Sequence, residues 1–271
     1  MDIKNKTALV LGGIKGIGKA IGLDLLRAGA NVATTWFDWE ESLHKMKADF
    51  SRTGPNHMIE NINLLDTDQI PGLIEKVIKK FHRLDILINN IERGGWPIVH
   101  GQYTAGQWDL EMATTLRAKQ WVFASALPYL KNSENSVVIN FSSIAGITGR
   151  TGPASNLFNE GYSAANRGIS LLTETWARMG APQVRVNEIM LGIFETRHGP
   201  GTRGWGLLSG AQKKAIIDHT LMKRTGTTDD IVRMVRFIIE DAPFMTGSVI
   251  RLDGGYCLGA ESVGKMPEGV L

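Results

Sequence analysis

The sequence predicts a single-domain α/β fold, in which a doubly wound parallel sheet is flanked by helices. Apolar runs of strand length alternate with amphipathic runs of helical length along the whole chain. The first apolar run is followed at once by a glycine-rich turn. Repeated strand–helix units of this kind produce parallel strands. Ligands of such sheets bind beyond the carboxyl ends of the strands, so functional residues are expected at that edge.

The first unit is the clearest. Residues 7–11 form a continuous apolar run, which is typical of a central parallel strand covered on both faces. Gly12, Gly13, Gly16 and Gly18 follow, then an amphipathic helix that ends near Gly29, and then a strand at 32–36. Glycines allow a tight turn, and the helix N-terminus that follows offers free N–H groups to a diphosphate. A tight turn that binds nothing is the alternative interpretation.

The later elements continue the alternation. Helices are predicted at 40–50, 68–81, 108–130, 162–179, 212–219 and 228–239, and strands at 58–64, 84–89, 136–141, 184–189 and 248–252. No internal repeat or linker interrupts this order, so we expect one domain over residues 1–271.

Composition narrows the class of protein. The chain has 271 residues and 43% apolar residues, and no apolar run approaches the roughly 20 residues that span a bilayer. The first residues show no signal-peptide pattern, and we expect a cytoplasmic protein without membrane contact. A single cysteine, Cys257, excludes an internal disulfide and a cysteine-based zinc site, and no metal is expected.

The basic residues are scattered rather than grouped, which does not indicate nucleic-acid binding. A mild basic excess lies between Arg197 and Arg224. It is interpreted as a solvated surface or, alternatively, as the rim of a site for an anionic substrate.

The helix at 162–179 opens with Tyr162 and Asn166, which share a face because they are four residues apart. In this pair and in five further motifs, the chain resembles the short-chain dehydrogenase/reductase family. The five motifs are Gly12-Gly13-Ile14-Lys15-Gly16-Ile17-Gly18, Asn89-Asn90, Ser142-Ser143-Ile144-Ala145-Gly146, Arg185-Val186-Asn187 and Asp253-Gly254-Gly255. The resemblance covers roughly residues 4–258. It implies a Rossmann fold and hydride transfer between a nicotinamide and a carbinol or carbonyl.

The resemblance also implies catalytic roles. Tyr162 matches the family's general acid/base, Ser143 the serine that binds the substrate oxygen, and Thr115 the position of an asparagine that holds a relay water. Asn166 stands where the family has lysine, so it keeps a hydrogen-bonding group but no charge. A tyrosine with its ordinary pKa of about 10 needs a nearby cation to act as a base. Arg167 lies i+5 from Tyr162 and is expected to point elsewhere.

The cofactor end departs from the family as well. The resemblance implies that nine positions bind NAD or NADP. Because of the departures described below, we expect this binding to be weak or lost. These positions are Gly12, Lys15, Gly16, Ile17, Gly18, Asn63, Asn89, Gly192 and Thr196. Ile91 and Glu92 replace the family's Ala-Gly, and Glu92 would repel a diphosphate if it pointed inward. Neither an NAD-selecting acid at Trp36 nor an NADP-selecting arginine at Phe37 is present.

Three functions stay open at this point. The first is a catalytically impaired or inactive subunit that forms dimers or tetramers with itself or with an active paralogue, on an acyl-CoA or other anionic hydroxy or keto substrate. The second is an active NAD(P)-dependent carbonyl reductase or alcohol dehydrogenase that uses Ser143 and Tyr162, with Asn166 in place of the lysine. The third is a ligand sensor built on the nucleotide fold. The segment at about 195–222 is expected to be the substrate lid.

Overall fold

The computed structural model describes residues 1–92, 103–194, 196 and 205–265. Within them, the strands are parallel and form one sheet. They are β1 Thr7–Val10, β2 Asn31–Trp36, β3 His57–Asn61, β4 Ile86–Asn89, β5 Ser136–Ser143, β6 Val184–Leu191 and β7 Val249–Leu252. Their order is β3-β2-β1-β4-β5-β6-β7, so the strand order reverses between β1 and β4. This reversal leaves a crevice at the carboxyl ends of the strands. The doubly wound α/β fold is confirmed.

Helices cover both faces of the sheet. They are α1 Gly16–Arg27, α2 Leu43–Thr53, α3 Ile70–Phe81, α4 Ala105–Glu111, α5 Ala118–Lys131, α6 Ala145–Thr148, α7 Glu160–Gly180, α8 Gly210–His219 and α9 Thr228–Glu240. One apolar layer joins α3, α5 and α7 to the sheet, and includes Ile74, Phe123 and Trp176. The other joins α1, α2 and α9 to the opposite face. Alternating strand residues feed the two layers, as a sheet buried on both faces requires.

The helix predicted at 108–130 differs most from expectation. It begins at Ala105, where Thr104 and Gln107 form a capping box, and it is interrupted by a π-helical turn at Met112–Arg117. Periodicity analysis assumes 3.6 residues per turn and does not detect such a turn. Because the π turn inserts one residue, it changes which side chains of α5 face the sheet.

Two further differences are local. The strand predicted at 58–64 is observed at His57–Asn61, and the helix predicted at 40–50 consists of a 3₁₀ turn, Glu40–Ser42, followed by α2. The segment after Gly149 contains the 3₁₀ turn Pro153–Leu157, in which Ala154 is buried. Its backbone N–H donates to the Tyr256 hydroxyl over 2.8 Å, so this segment is anchored.

Candidate active site

A cleft of about 590 Å³ lies at the switch point between β1 and β4. Its walls come from the first turn of α1, the end of β2, the segment after β3 and the segment after β4. They include Gly12, Lys15, Gly16, Ile17, Trp36, Asp38, Trp39, Asn63, Asn90, Glu92, Thr114 and Thr196. The position matches the binding crevice expected for a doubly wound sheet.

The glycine turn forms an anion cradle at one end of this cleft. Gly12 and Gly16 have positive φ values of 71° and 57°, which a residue with a side chain rarely adopts. They let the chain turn into α1, whose first N–H groups have no partner within the helix. A dinucleotide diphosphate fits this arrangement because the helix N-terminus attracts negative charge. Gly16 and Ile17 would hold it there.

The end of the cleft beyond β2 is aromatic and acidic. The Lys15 ammonium lies 2.8 Å from the centre of the Trp39 ring, a cation–π contact. Asp38 and Trp39 also line the cleft, and sequence reasoning did not single them out. Asn63 lines the cleft and accepts a hydrogen bond from the Leu65 N–H over 3.1 Å.

The Tyr162 hydroxyl links the start of α7 to the cleft. It donates to Glu92 Oε2 over 3.0 Å, although 70 residues separate the two. Glu92 is one of the cleft residues, so the position suspected from sequence does point inward. Tyr162 sits near the start of α7, where the Asn159 side chain accepts from the Tyr162 backbone N–H over 2.8 Å and caps the helix. The proton of this hydroxyl is therefore held by a carboxylate.

Asn166 is completely buried and bonds along its own helix. Its Nδ2 donates to the Tyr162 carbonyl over 2.9 Å. Its Oδ1 and the Thr115 Oγ1 are buried and have no hydrogen-bond partner among the described residues. Such atoms are rare and point to a bound group or water. Arg167 is exposed, so its guanidinium lies on the outer side of α7.

Ser143 ends β5 and is held by the turn that follows. Its Oγ accepts from the Ala145 N–H over 3.2 Å. The next helix, α6, packs tightly on α7, because a Cβ at Gly146 would lie 2.9 Å from the Arg167 N and 3.0 Å from the Asn166 carbonyl carbon. This glycine allows the turn after Ser143 to lie close to α7. One apolar cluster joins Ile144 of that turn to Tyr162 of α7, and it also contains Phe158, Leu208 and Ile216.

Leu208 and Ile216 come from the segment expected to be the lid, so its second half packs beside Tyr162. Residues 195 and 197–204 of that segment lie outside the described residues. Within the described half, Lys214 pairs with Asp218 over 2.5 Å and Arg224 pairs with Asp230 over 2.7 Å. Two of the basic residues of the mild basic excess are thus paired with carboxylates of this chain.

Three of the predicted cofactor residues lie in different settings. Thr196 lines the cleft, and its carbonyl lies near Gly16. Asn89 is buried beneath it and donates from Nδ2 to Asn140 Oδ1 over 2.8 Å, whereas Asn90 lines the cleft. Gly192 lies against the Asp253 backbone, where a Cβ would come within 2.6 Å of the Asp253 Cα.

A buried polar layer on α5, β5 and β6 was missed by sequence reasoning. Lys119 of α5 is fully buried, and its Nζ donates to the Phe141 carbonyl over 2.6 Å. Glu188 of β6 is also fully buried and accepts from the Ser142 and Ser170 hydroxyls. Burial lowers the pKa of Lys119 to about 8, while Glu92 and Glu188 oppose that shift. Burial likewise raises the pKa of Glu188.

The available signal for this layer was a charged residue within a predicted helix or strand. Lys119 precedes Gln120-Trp121-Val122-Phe123, and Glu188 interrupts Val184–Leu191. An exposed position explains such a residue equally well, so the sequence alone does not identify the pair.

No helix in the described part of the chain is long and apolar enough to cross a membrane. No group of three or more His, Cys, Asp or Glu side chains there could hold a metal ion.

Comparison with known proteins agrees with the geometry. A family model described as Enoyl-(Acyl carrier protein) reductase matches residues 12–257. The chain is 28% identical to the 3-oxoacyl-[acyl-carrier-protein] reductase FabG of Thermotoga maritima, over 95% of this chain and all of that protein. It is 27% identical to 3beta-hydroxysteroid dehydrogenase 2 of Eggerthella lenta, over 94% of this chain and 95% of that protein.

Solved structures show the same fold. A short-chain dehydrogenase/reductase described as a glucose/ribitol dehydrogenase, from Brucella melitensis, has a TM-score of 0.80 at 24% identity, over 94% of this chain and 98% of that one. A mutant Serratia marcescens short-chain dehydrogenase/reductase also has a TM-score of 0.80, at 21% identity, over 94% of this chain and 99% of that one. With its fold, its glycine turn and a family model that matches most of its length, this chain belongs to the short-chain dehydrogenase/reductase family of oxidoreductases.

Proposed function

We propose that this chain is a dinucleotide-binding short-chain dehydrogenase subunit with weak or no turnover of its own, which assembles with a catalytically intact subunit. The observation that carries the proposal is the hydrogen bond from the Tyr162 hydroxyl to Glu92. A general acid must be within hydrogen-bond reach of the atom that it protonates. Here the hydroxyl is engaged by an acceptor on the cleft side, and Asn166 supplies no charge to release it.

NAD or NADP fits the binding end of the cleft. Gly16 and Ile17 would hold the diphosphate, and the unpartnered Oδ1 of Asn166 could accept from a ribose hydroxyl. When bound, the nicotinamide supplies hydride transfer. At the reacting end, Ile91 and Glu92 narrow the cleft, which supports weak binding.

A substrate class follows from the relatives. Two relatives that match 95% and 92% of this chain act, by their names, on 3-oxoacyl groups carried by acyl carrier protein. We therefore propose a 3-oxoacyl or 3-hydroxyacyl thioester, an anionic substrate, for the assembled site. Within this chain, Ser143 would bind the substrate oxygen.

Exposed apolar side chains support assembly. Trp121 on α5 and Leu171 on α7 are 47% and 66% exposed, and Trp108 and Met179 are also exposed on α4 and α7. Large apolar side chains exposed on neighbouring helices are typical of a protein–protein contact. The proposed partner is another short-chain dehydrogenase subunit, which would cover these helices in a dimer or tetramer.

The test compares turnover with a repaired site. Purified wild-type protein, Tyr162→Phe, and the double variant Glu92→Gly/Asn166→Lys are assayed with acetoacetyl-CoA and either NADH or NADPH. We expect wild type and Tyr162→Phe to be equal and near background. The double variant should gain activity that Tyr162→Phe removes when it is added. Substantial wild-type turnover that depends on Tyr162 would overturn the proposal in favour of an active reductase.

Assembly is tested separately by sedimentation of wild type and of Trp121→Lys/Leu171→Lys, alone and after co-expression with an intact homologue. The variant is expected to lose association. The exposed pair Lys76→Glu/Glu60→Lys serves as a control, because it changes surface charge away from these helices.

A further inference from the structure

A buried hydrogen-bond network joins α4 to the first turn of α7, and neither the glycine turn nor the cleft accounts for it. Glu111, the last residue of α4, is only 5% exposed. Its Oε1 accepts from Asn159 Nδ2 over 2.6 Å, and its Oε2 accepts from the Tyr103 hydroxyl over 3.1 Å. A carboxylate is almost never buried to this extent unless its oxygens have partners, so these bonds keep Glu111 in the interior.

Both of these partners of Glu111 also bond to the backbone of α7. The Asn159 Oδ1 accepts from the Tyr162 N–H over 2.8 Å, and the Tyr103 hydroxyl accepts from the Gly161 N–H over 3.0 Å. These N–H groups belong to the first turn of the helix, where no carbonyl of the same helix can reach them. Two bonds that fix the start of α7 therefore lead back to one carboxylate.

Close packing holds the two helices together at this junction. A Cβ at Gly161 would lie 2.7 Å from Glu111 Oε2, closer than real contacts allow. Gly168 lies two helical turns further along the same face of α7, and a Cβ there would lie 3.0 Å from Leu116 Cδ1 of the π turn. The helix α7 is thus seated on α4 and on the π turn, with little room to shift.

The carboxylate of Glu111 determines which way the Asn159 amide points. A carboxylate only accepts hydrogen bonds, whereas an amide has one end that donates and one that accepts. Asn159 must present Nδ2 to Glu111, and its Oδ1 is then left to accept from the Tyr162 N–H. Burial, together with the Glu111 carboxylate, raises the pKa of Tyr103 to about 12, so this hydroxyl keeps the proton that it donates.

We propose that Glu111 is a positioning residue for Tyr162. It orients the Asn159 amide and the Tyr103 hydroxyl, which together hold the first turn of α7. In that place, the Tyr162 hydroxyl reaches Glu92 Oε2 over 3.0 Å. This role deepens the proposed function and rests on it in one respect, the engagement of Tyr162 by Glu92.

A spectroscopic test reads the tyrosine directly and needs neither turnover nor bound cofactor. The chain has four tyrosines, so in protein labelled on tyrosine each ring-carbon resonance is assigned by its loss in Tyr162→Phe or Tyr103→Phe. In Glu111→Gln the new amide nitrogen faces the donor of either Tyr103 or Asn159, which then loses its acceptor. Because a loosened first turn lengthens the bond to Glu92, the Tyr162 resonance should move toward its position in Glu92→Gln.

Exchanging the two side-chain types provides a rescue. Asn159→Asp alone places two carboxylates against each other, and one of them must take up a proton. In the double variant Glu111→Gln/Asn159→Asp, the new amide donates to the new carboxylate, which can still accept from the Tyr162 N–H. Each donor regains an acceptor, and the number of charges is that of the wild type. Each single variant should move the Tyr162 resonance, and the double variant should return it toward the wild-type position.

The matched control is Glu160→Gln, the same change at the neighbouring exposed residue, whose carboxylate pairs with Arg150 over 3.0 Å. It should leave the Tyr162 resonance unchanged. In Glu111→Gln, a shift of the Tyr103 resonance reports that the network has changed. If the Tyr162 resonance then stays in place, or if the double variant does not restore it, Glu111 has only a structural role and the assignment is overturned.

A second variant covers the case in which Glu111→Gln does not fold. Tyr103→Phe removes a donor to Glu111 and the acceptor of the Gly161 N–H, so it should move the Tyr162 resonance in the same direction. An unchanged Tyr162 resonance in folded Tyr103→Phe would likewise overturn the assignment.

The same variants distinguish this inference from the proposed function. If Glu92→Gln moves the Tyr162 resonance and Glu111→Gln does not, the assignment of Glu111 fails, while the engaged tyrosine and the impaired subunit stand. If Glu92→Gln leaves the resonance unchanged, the contact that carries the proposed function fails. A shift in Glu111→Gln that the double variant reverses would still assign Glu111 its positioning role.

Discussion

The Tyr162 hydroxyl and Glu92 Oε2 lie 3.0 Å apart, and the hydrogen bond between them connects the helix α7 to the cleft wall after β4. Family resemblance assigns Tyr162 a role in proton transfer, and Glu92 stands where the family has a small residue. The consequence is a tyrosine in its expected place with its proton already bonded to this chain's own carboxylate.

Replacing Glu92 by glycine should tighten dinucleotide binding. The change removes a carboxylate from the cleft lining and with it a repulsion that a diphosphate would meet. We expect the affinity for NADH or NADPH to rise about tenfold, or ~1.4 kcal/mol, by titration calorimetry. Glu60→Gln, on β3 outside the cleft lining, should change nothing. Equal or weaker binding by Glu92→Gly would contradict this view of the cleft.

Stability should depend on the titration of Lys119. Its native pKa is about 8, whereas the unfolded chain keeps the proton to about 10.5. Between these values the unfolded state binds more protons, so stability should rise with pH, by at most ~3 kcal/mol. Glu188 acts in the opposite sense: its raised native pKa gives stability that is lost as pH rises from 4.5 through that pKa.

The measurement is urea unfolding at a series of pH values. Cys257, whose pKa is raised from 9.0 to about 12, would oppose the rise, so the comparison is made in a Cys257→Ala background. Lys119→Met in that background should remove the rise above pH 8. A rise that persists in Lys119→Met would mean that another group is responsible.

The thiol of Cys257 should be slow to react. Burial, together with the neighbouring Asp253 carboxylate, raises the pKa of Cys257 to about 12. Only the thiolate reacts, so at pH 8 a thiol reagent should modify native protein about a thousandfold more slowly than urea-unfolded protein. Asp253→Asn removes one cause of the shift and should accelerate the reaction. Equal rates for native and unfolded protein would show that this thiol is accessible and ionised.

Gly146→Ala should destabilise the packing of α6 on α7. The added methyl would press on the backbone of Asn166 and Arg167, and overpacking of this kind costs about 1–3 kcal/mol. Gly72→Ala is the matched control, because Gly72 lies within α3 and a Cβ there meets nothing within 4 Å. It should stabilise by about 0.5–1 kcal/mol, since alanine favours helix. The two unfolding midpoints should shift in opposite directions.

Short-range patterns were sufficient for most of the architecture. The run at residues 7–11 and the glycines after it predicted β1, the turn and α1, because a buried strand and a tight turn each leave a local signature. The π turn at Met112–Arg117 left no such signature, since an extra residue in a helix changes hydrogen bonding but not composition. The strand predicted at 58–64 is longer than the observed β3, His57–Asn61. Ile62 and Leu64 are buried in the core beyond the end of β3, and buried apolar residues look like strand residues in the sequence.

The sequence by itself determined the doubly wound fold, the position of the glycine turn and the presence of asparagine rather than lysine at position 166. These follow from periodicity and from residue identity at fixed spacing. Only the tertiary structure decided that Glu92 bonds to Tyr162 and that Lys119 is buried, with its ammonium bonded to the Phe141 carbonyl near the end of β5. Both depend on strand register and on the rotation of α5, which bring together side chains that are distant along the chain. A charged residue looks alike in sequence whether water or a buried partner surrounds it, and burial alone separates the two.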